Sequence, residues 1–149
     1  MDYTMEQYRS SAQAIRERLG DFTPKAAMVL GSGLGALGDE VENPILIDYR
    51  DIPYFKASTA PGHKGRLVFG ELEGQKVAVM QGRMHHYEGY SYEEVSYAVR
   101  VLRLLGCDTL IVTNAAGCVN TQWKAGELML ITDQIKMFSE SPLRGENLP

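Results

Sequence analysis

Two short apolar runs that discharge directly into loops of very small residues constrain this chain more than any other feature. Ala26-Ala-Met-Val-Leu30 runs into Gly31-Ser-Gly-Leu-Gly35, and Thr109-Leu-Ile-Val-Thr113 runs into Asn114-Ala-Ala-Gly117. Short unbroken apolar runs bounded by turn residues read as strands buried in a sheet. In open α/β sheets, ligands bind just beyond the carboxyl ends of such strands. Loops of Gly, Ser and Ala let backbone N–H groups converge on an anion with no side chain in the way. A plain tight turn is the other use of the same residues.

The remaining pattern is that of an α/β protein. Thr4 and Gln7 make a capping box ahead of an apolar stripe of Met5, Tyr8, Ala12, Ile15 and Leu19, and Gly20 and Pro24 end that helix. Ser91 and Glu94 open a second helix, with Tyr92, Val95, Val99, Leu102 and Leu105 as its predicted buried face and Gly106 as its end. Residues 45–49 predict a strand, and Arg66 to Leu72 with Lys76 to Met80 predict a hairpin around Glu73-Gly74. Thr109 to Thr113 predicts a buried strand, Glu127 to Thr132 a further strand, and Ser141 to Gly145 a loop. Hairpins among strand–helix units predict a mixed β-sheet flanked by helices rather than a purely parallel one. A length of 149 residues predicts one domain.

Composition narrows the function classes. Hydrophobic residues make up 44% and charged residues 23%, the balance of a soluble globular protein. Fifteen basic against 19 acidic residues give a net charge of -4, with no run of like charge, so no nucleic-acid partner is expected. No apolar stretch approaches the roughly 18 residues of a membrane span, so no membrane partner is expected either. The start, Met1-Asp-Tyr-Thr-Met-Glu6, is no basic region ahead of an apolar core, and the cytoplasm is the expected location. The 15 glycines are in excess of an average near 7% and cluster at 31–38, 62–74 and 82–89. Cys107 and Cys118 flank a strand about 20 Å long and read as two reduced thiols rather than a disulfide.

The third glycine cluster, Gly82-Arg-Met-His-His-Tyr-Glu-Gly89, also starts at a strand end. Arg83 supplies a permanently charged fork suited to phosphate. His85 and His86 are adjacent, so in an extended segment only one of them faces a given ligand. The remaining histidine lies in Pro61-Gly-His63-Lys-Gly65. Neither cysteine stands at metal-ligand spacing to these histidines, and no metal is expected. Gly33-Leu-Gly35-Ala-Leu-Gly38 matches a dinucleotide fingerprint, yet only Ala36 to Glu42 is left for a crossover helix before Asn43-Pro44. There is no Gly-x-x-x-x-Gly-Lys-Ser/Thr loop and no Gly-x-Ser-x-Gly elbow. Ser32, Arg83, a histidine and several backbone amides together describe an oxyanion site, most simply one for phosphate or a phosphorylated small molecule.

In this order, Gly31-Ser-Gly-Leu-Gly35, Pro61-Gly-His63, Met80-Gln-Gly-Arg-Met-His85-His-Tyr87-Glu-Gly-Tyr90 and Val112-Thr-Asn114-Ala-Ala-Gly117 resemble the trimeric purine nucleoside phosphorylases. The resemblance runs from about residue 24 to the end, including Leu128-Met-Leu-Ile-Thr-Asp133 and Asn147. It implies a nucleoside phosphorylase fold and phosphorolysis of purine (deoxy)nucleosides to free base and (deoxy)ribose 1-phosphate in purine salvage. Phosphate is then a co-substrate, no cofactor is needed, and the assembly is a homotrimer. By the same resemblance Ser32, Arg83, His85 and the backbone at Ala115 bind phosphate, with His85 catalytic and His63 closing over the anion. Tyr87 touches the ribose and Asn114 borders the site. Cys118 stands where the family usually has a further glycine. The family continues past residue 149, so residues 1–149 are expected to be the amino-terminal part of a single domain. The carboxyl-terminal part that reads the purine is expected to be absent, and the chain inactive alone. A methylthioadenosine phosphorylase, and a non-catalytic phosphate-binding or partner-binding fragment, are the alternatives.

Overall fold

The computed structural model describes residues 3–56, 64–145 and Leu148. The chain begins with helix α1, Met5–Leu19, where the Thr4 hydroxyl accepts from the Gln7 N–H and the Gln7 side chain accepts from the Thr4 N–H. Gly20 closes the helix with φ 58, and its N–H donates to the Arg16 carbonyl. Strand β1, Ala26–Leu30, follows, then a 3-10 turn over Gly35–Asp39 and strand β2, Glu42–Asp48. Strands β3, Arg66–Leu72, and β4, Gln75–Gln81, form the expected hairpin. Glu73 and Gly74 both take positive φ, 50 and 71, as a two-residue hairpin loop requires. Helix α2, Tyr92–Leu104, and strand β5, Thr109–Val112, complete the regular structure among the described residues.

The sheet is mixed, in the order β2-β3-β4-β1-β5. β1 runs parallel to both β4 and β5, while β3 runs antiparallel to both β2 and β4. The carboxyl ends of β1, β4 and β5 therefore lie at one edge. Leu30 pairs with Gln81 on one side, and Val29 with Val112 on the other.

Strand alternation divides the core into two layers. Ala27, Val29, Leu67, Phe69, Ala78 and Met80 face α1 and α2, and Leu30, Val68, Val77 and Val79 face the opposite side with Val41. Both α-helices lie in the first layer. The buried Ser11 hydroxyl ties them together, 2.8 Å from the Tyr97 hydroxyl and 2.6 Å from the Pro53 carbonyl. Tyr8 and Tyr97 stack at 4.6 Å between centroids. On the second layer, Leu34 and Leu37 from the loop and turn after β1 pack against the sheet.

Several expectations are corrected. The buried face of α2 is Tyr97, Ala98, Val101 and Leu102, continued by Leu105, whereas Tyr92, Val95 and Val99 are only partly covered. The helix is apolar around much of its circumference, and the position of α1 decides which stripe is buried. β2 starts at Glu42 rather than residue 45 and ends before Tyr49, with an irregularity between Glu42 and Ile45 where Asn43 takes φ 49. Pro44 is tolerated because β2 is an edge strand. At this crossing a Cβ on Gly70 would collide with the Glu42 carbonyl and the Val41 side chain. β5 is not buried: all four residues are exposed, with Val112 at 59%. Among the described strands only β1 pairs with it, and Leu110 and Ile111 are left at 45% and 44% exposure. Glu127 to Thr132 form no strand and are exposed, because they pair with no described strand and a strand needs a ladder partner.

Cys107 is buried and Cys118 exposed, both as free thiols. Burial, with Asp108 alongside, pushes the Cys107 thiol up to about 11. A thiol reagent at pH 8 is therefore expected to modify Cys118 in the native protein and to reach Cys107 only in denaturant. Intact mass reads this directly: one adduct native and two denatured. Two adducts on the native chain would contradict the burial.

Candidate functional site

The three small-residue loops meet at Thr113, just beyond the end of β5. The Gly31 N–H donates to Thr113 Oγ1 at 2.8 Å, and that hydroxyl donates to the Val29 carbonyl at 3.0 Å. The Arg83 guanidinium donates to the Thr113 carbonyl oxygen. A Cβ on Gly31 would lie 2.7 Å from the same oxygen and 3.1 Å from the Asn114 Cα. Only glycine lets β1 end so close to β5. The loop after β1, Arg83 after β4 and Asn114 after β5 are brought together at one point, the arrangement expected of a site at the carboxyl ends of parallel strands.

Beside this junction lies a cleft of about 410 Å³, whose lining includes Gly31, Ser32, Gly33, Asp39, Lys64 and Gln81. Ser32 is exposed to it. Asp39 takes Lys64 Nζ at 2.7 Å and Arg66 Nη2 at 3.1 Å. The Gln81 amide and Lys64 hold the Asp39 carboxyl below its usual range. One carboxylate between two cations leaves this group with a formal charge of +1, so Asp39 does not make the wall hostile to an anion.

His85 lies on the extended segment after Arg83, with its Nδ1 2.7 Å from Glu88 Oε1. The same carboxylate oxygen accepts from the His85 N–H at 2.8 Å, and Glu88 is nearly buried. A carboxylate at Nδ1 sets the ring orientation and favours a proton on that nitrogen. Tyr87 stacks on His85, 4.6 Å between ring centroids, and is itself 78% exposed. His86 faces elsewhere: its Nδ1 meets the Tyr90 carbonyl at 2.7 Å and its ring stacks on Tyr92.

Of the residues named from sequence, Ser32 lies on the cleft, while Arg83 and Asn114 lie at the Thr113 junction. His85 is tied to Glu88, and Tyr87 and Ala115 are exposed. His63 lies outside the described residues. The glycine pattern at 33–38 opens a five-residue 3-10 turn and no crossover helix. Among the described residues no cluster of three His, Cys, Asp or Glu can hold a metal, and no helix is long and apolar enough to cross a membrane. Sequence reasoning missed Thr113, Gln81, Asp39 and Glu88. A Gln at the end of an apolar strand and a Glu three residues after a His were the signals available.

Residues 25–149 match the family model described as the phosphorylase superfamily. The chain is 54% identical to purine nucleoside phosphorylase 1 of Bacillus subtilis, over 92% of this chain and 50% of that protein. It is 46% identical to the purine nucleoside phosphorylase of Rattus norvegicus, over 98% of this chain and 51% of that protein. Among solved structures, isoform 2 of purine nucleoside phosphorylase from Schistosoma mansoni, in complex with cytosine and ribose-1-phosphate, superposes with a TM-score of 0.76 at 40% identity. That match covers 85% of this chain and 44% of the other. The chain spans about half the length of the curated relatives it matches. A mixed five-stranded sheet with the phosphorylase fold, and a match over residues 25–149, make this chain a member of the phosphorylase superfamily.

Proposed function

We propose that the site at the ends of β1, β4 and β5 binds inorganic phosphate and a purine nucleoside. The whole protein would then be a purine nucleoside phosphorylase of purine salvage, working as a homotrimer in the cytoplasm. The observation that carries this reading is the convergence of Gly31, Arg83 and Asn114 on Thr113, beside the exposed Ser32. It supplies a guanidinium, a hydroxyl and small-residue backbone at one strand edge, the inventory that an oxyanion requires. The Bacillus, rat and Schistosoma relatives carry the name of this enzyme, and one relative was solved with ribose-1-phosphate.

In this reading Ser32, Arg83, His85, His63 and the backbone at Ala115 hold phosphate, while Tyr87 and Asn114 border the ribose. A phosphate oxygen forms the new bond to the anomeric carbon as the bond to the purine nitrogen breaks. The bonding pair leaves with the purine, which takes up a proton. Positive charge builds on the ribose in between, and a fixed phosphate both stabilises that charge and attacks it. Glu88 at Nδ1 of His85 orients the imidazole against the anion.

The test is phosphate titration by calorimetry. Wild type is expected to bind, and Arg83→Ala to weaken binding about 10- to 100-fold, the worth of charge-assisted hydrogen bonds. Equal affinity in a variant that keeps its circular dichroism would defeat the assignment.

A further inference from the structure

Ser32 sits in a loop that has no helix or strand of its own between Gly31 and Gly35. Both ends of that loop are held by side chains from the strands on either side of β1. At the start, the Gly31 N–H donates to Thr113 Oγ1 at 2.8 Å. At the end, Gln81 Nε2 donates to the Gly35 carbonyl at 2.7 Å. Gln81 pairs with Leu30 across the β1–β4 register, and the Thr113 N–H donates to the Val29 carbonyl, so the two side chains flank the last residue of β1.

Gln81 is 1% exposed, and Ser11 is the other fully buried polar residue among those described. Its hydrogen bonds are demanding. Nε2 also donates to Asp39 Oδ1 at 3.0 Å, and Oε1 accepts from Arg66 Nε at 2.7 Å. A Cβ on Gly38 would come within 2.9 Å of the Gln81 side chain, so the amide has little room for another rotamer. Burying a polar group that needs three partners, at a position where an apolar residue would suit the strand, calls for a reason. Gln81 borders the cleft, and its amide is already committed to the Gly35 carbonyl, Asp39 and Arg66.

We propose that Gln81 and Thr113 are positioning residues that clamp the two ends of the Gly31–Gly35 loop, holding Ser32 in place for phosphate before the anion arrives. The proposal rests on the phosphate reading above. A loop ordered in the folded protein does not have to be ordered at the binding step, and the affinity that ordering would otherwise consume is kept. Gln81 reads two features at once: an uncharged carbonyl at Gly35 and a carboxylate at Asp39. Only an amide donates to both while accepting from Arg66. Gln81→Met keeps the length and removes all three bonds. Gln81→Glu keeps the shape but sets an acceptor against the Gly35 carbonyl and Asp39. Adding Asp39→Asn to Gln81→Glu supplies an amide donor to the new carboxylate.

The experiment combines calorimetric titration with inorganic phosphate and hydrogen exchange of residues 31–40, on the 149-residue chain. Gln81→Met and Gln81→Glu are each expected to weaken phosphate binding about tenfold, as loss of one to two net hydrogen bonds would. Exchange at 31–40 is expected to rise relative to the strands of the core. Asp39→Asn is expected to recover little of the affinity lost in Gln81→Glu, because the Gly35 carbonyl still faces a carboxylate with no donor; full recovery would trace the loss to the added negative charge and overturn the clamp. Thr113→Val, nearly isosteric, acts at the other end and is expected to weaken binding about fivefold; it carries the same test where a Gln81 variant does not fold. Folded variants that bind phosphate within about twofold of wild type would overturn the clamp, since a single net hydrogen bond is worth more than that. A wild type with no phosphate affinity would take down the phosphate reading itself, and the clamp with it, which is a different result.

Discussion

Inosine incubated with phosphate and the 149-residue chain is expected to release hypoxanthine at a rate near background. Breaking the glycosidic bond places negative charge on the purine, which must be hydrogen-bonded or protonated as it leaves. The groups proposed for phosphate, Ser32, Arg83 and His85, would address phosphate and the ribose side of that transition state. On the cleft wall Asp39 is occupied by Lys64, Arg66 and Gln81, and its carboxyl is held below the usual range, so it is a poor proton donor to a departing base. The matched relatives are about twice as long as the region aligned here. β5 and the described residues that follow it are largely exposed, and none of them lines the cleft. Loss of one electrostatic partner of the transition state costs about 10² to 10³ in rate, and none of the groups proposed above is assigned to the base. The assay is phosphate-dependent release of hypoxanthine by material of confirmed intact mass. Turnover of about 1 s⁻¹ or more, an ordinary enzyme rate, would mean that residues among these 149 read the base after all.

Gly31→Ala is expected to be the most damaging single methyl in the site. Its Cβ would stand 2.7 Å from the Thr113 carbonyl oxygen and 3.1 Å from the Asn114 Cα, both backbone atoms with no side-chain torsion to relieve the clash. The end of β1 must then move away from β5. The bond from Gly31 N–H to Thr113 Oγ1 and the Arg83 contact to the Thr113 carbonyl would be strained together. Overpacking with loss of buried hydrogen bonds should destabilise the chain by about 3 kcal/mol. Phosphate affinity should fall with it, because Ser32 and Arg83 are displaced relative to each other. Gly35→Ala is the control: its Cβ would meet nothing within 4 Å, and the expected change is within about 1 kcal/mol. Urea midpoints of the two variants measure the contrast. Equal midpoints would show that the β1–β5 approach is not as close as described.

Much of this molecule is local, and local features are legible in a sequence. The capping boxes at Thr4 and Ser91 and the hairpin at Glu73-Gly74 depend on residues within about four positions of one another. The same holds for the two strand-to-loop transitions at Leu30 and Thr113. Neighbouring side chains and backbone torsions decide such features, so residue type and spacing suffice. The candidates Ser32, Arg83 and Asn114 could be named for the same reason: each stands two residues past a strand end.

What only the tertiary structure decided depends on which strand lies beside which. In the sequence Gln81 lies one residue past the predicted strand Lys76 to Met80; the structure makes it the last residue of β4, and the order β4-β1-β5 sets it against the Gly35 carbonyl. Thr113 reads as a strand end until Gly31 and Arg83 both close on it. α2 carries apolar residues around much of its surface, and the packing of α1 through Ser11 and Tyr97 chose the Ala98–Val101 stripe over Val95 and Val99. β5 has the composition of a buried strand yet is exposed, because burial requires a neighbour and periodicity does not say whether one is present. Periodicity records what each segment would bury and how it would turn; contacts between residues some 80 positions apart, such as Gly31 with Thr113, follow from sheet order and register, which no local pattern encodes.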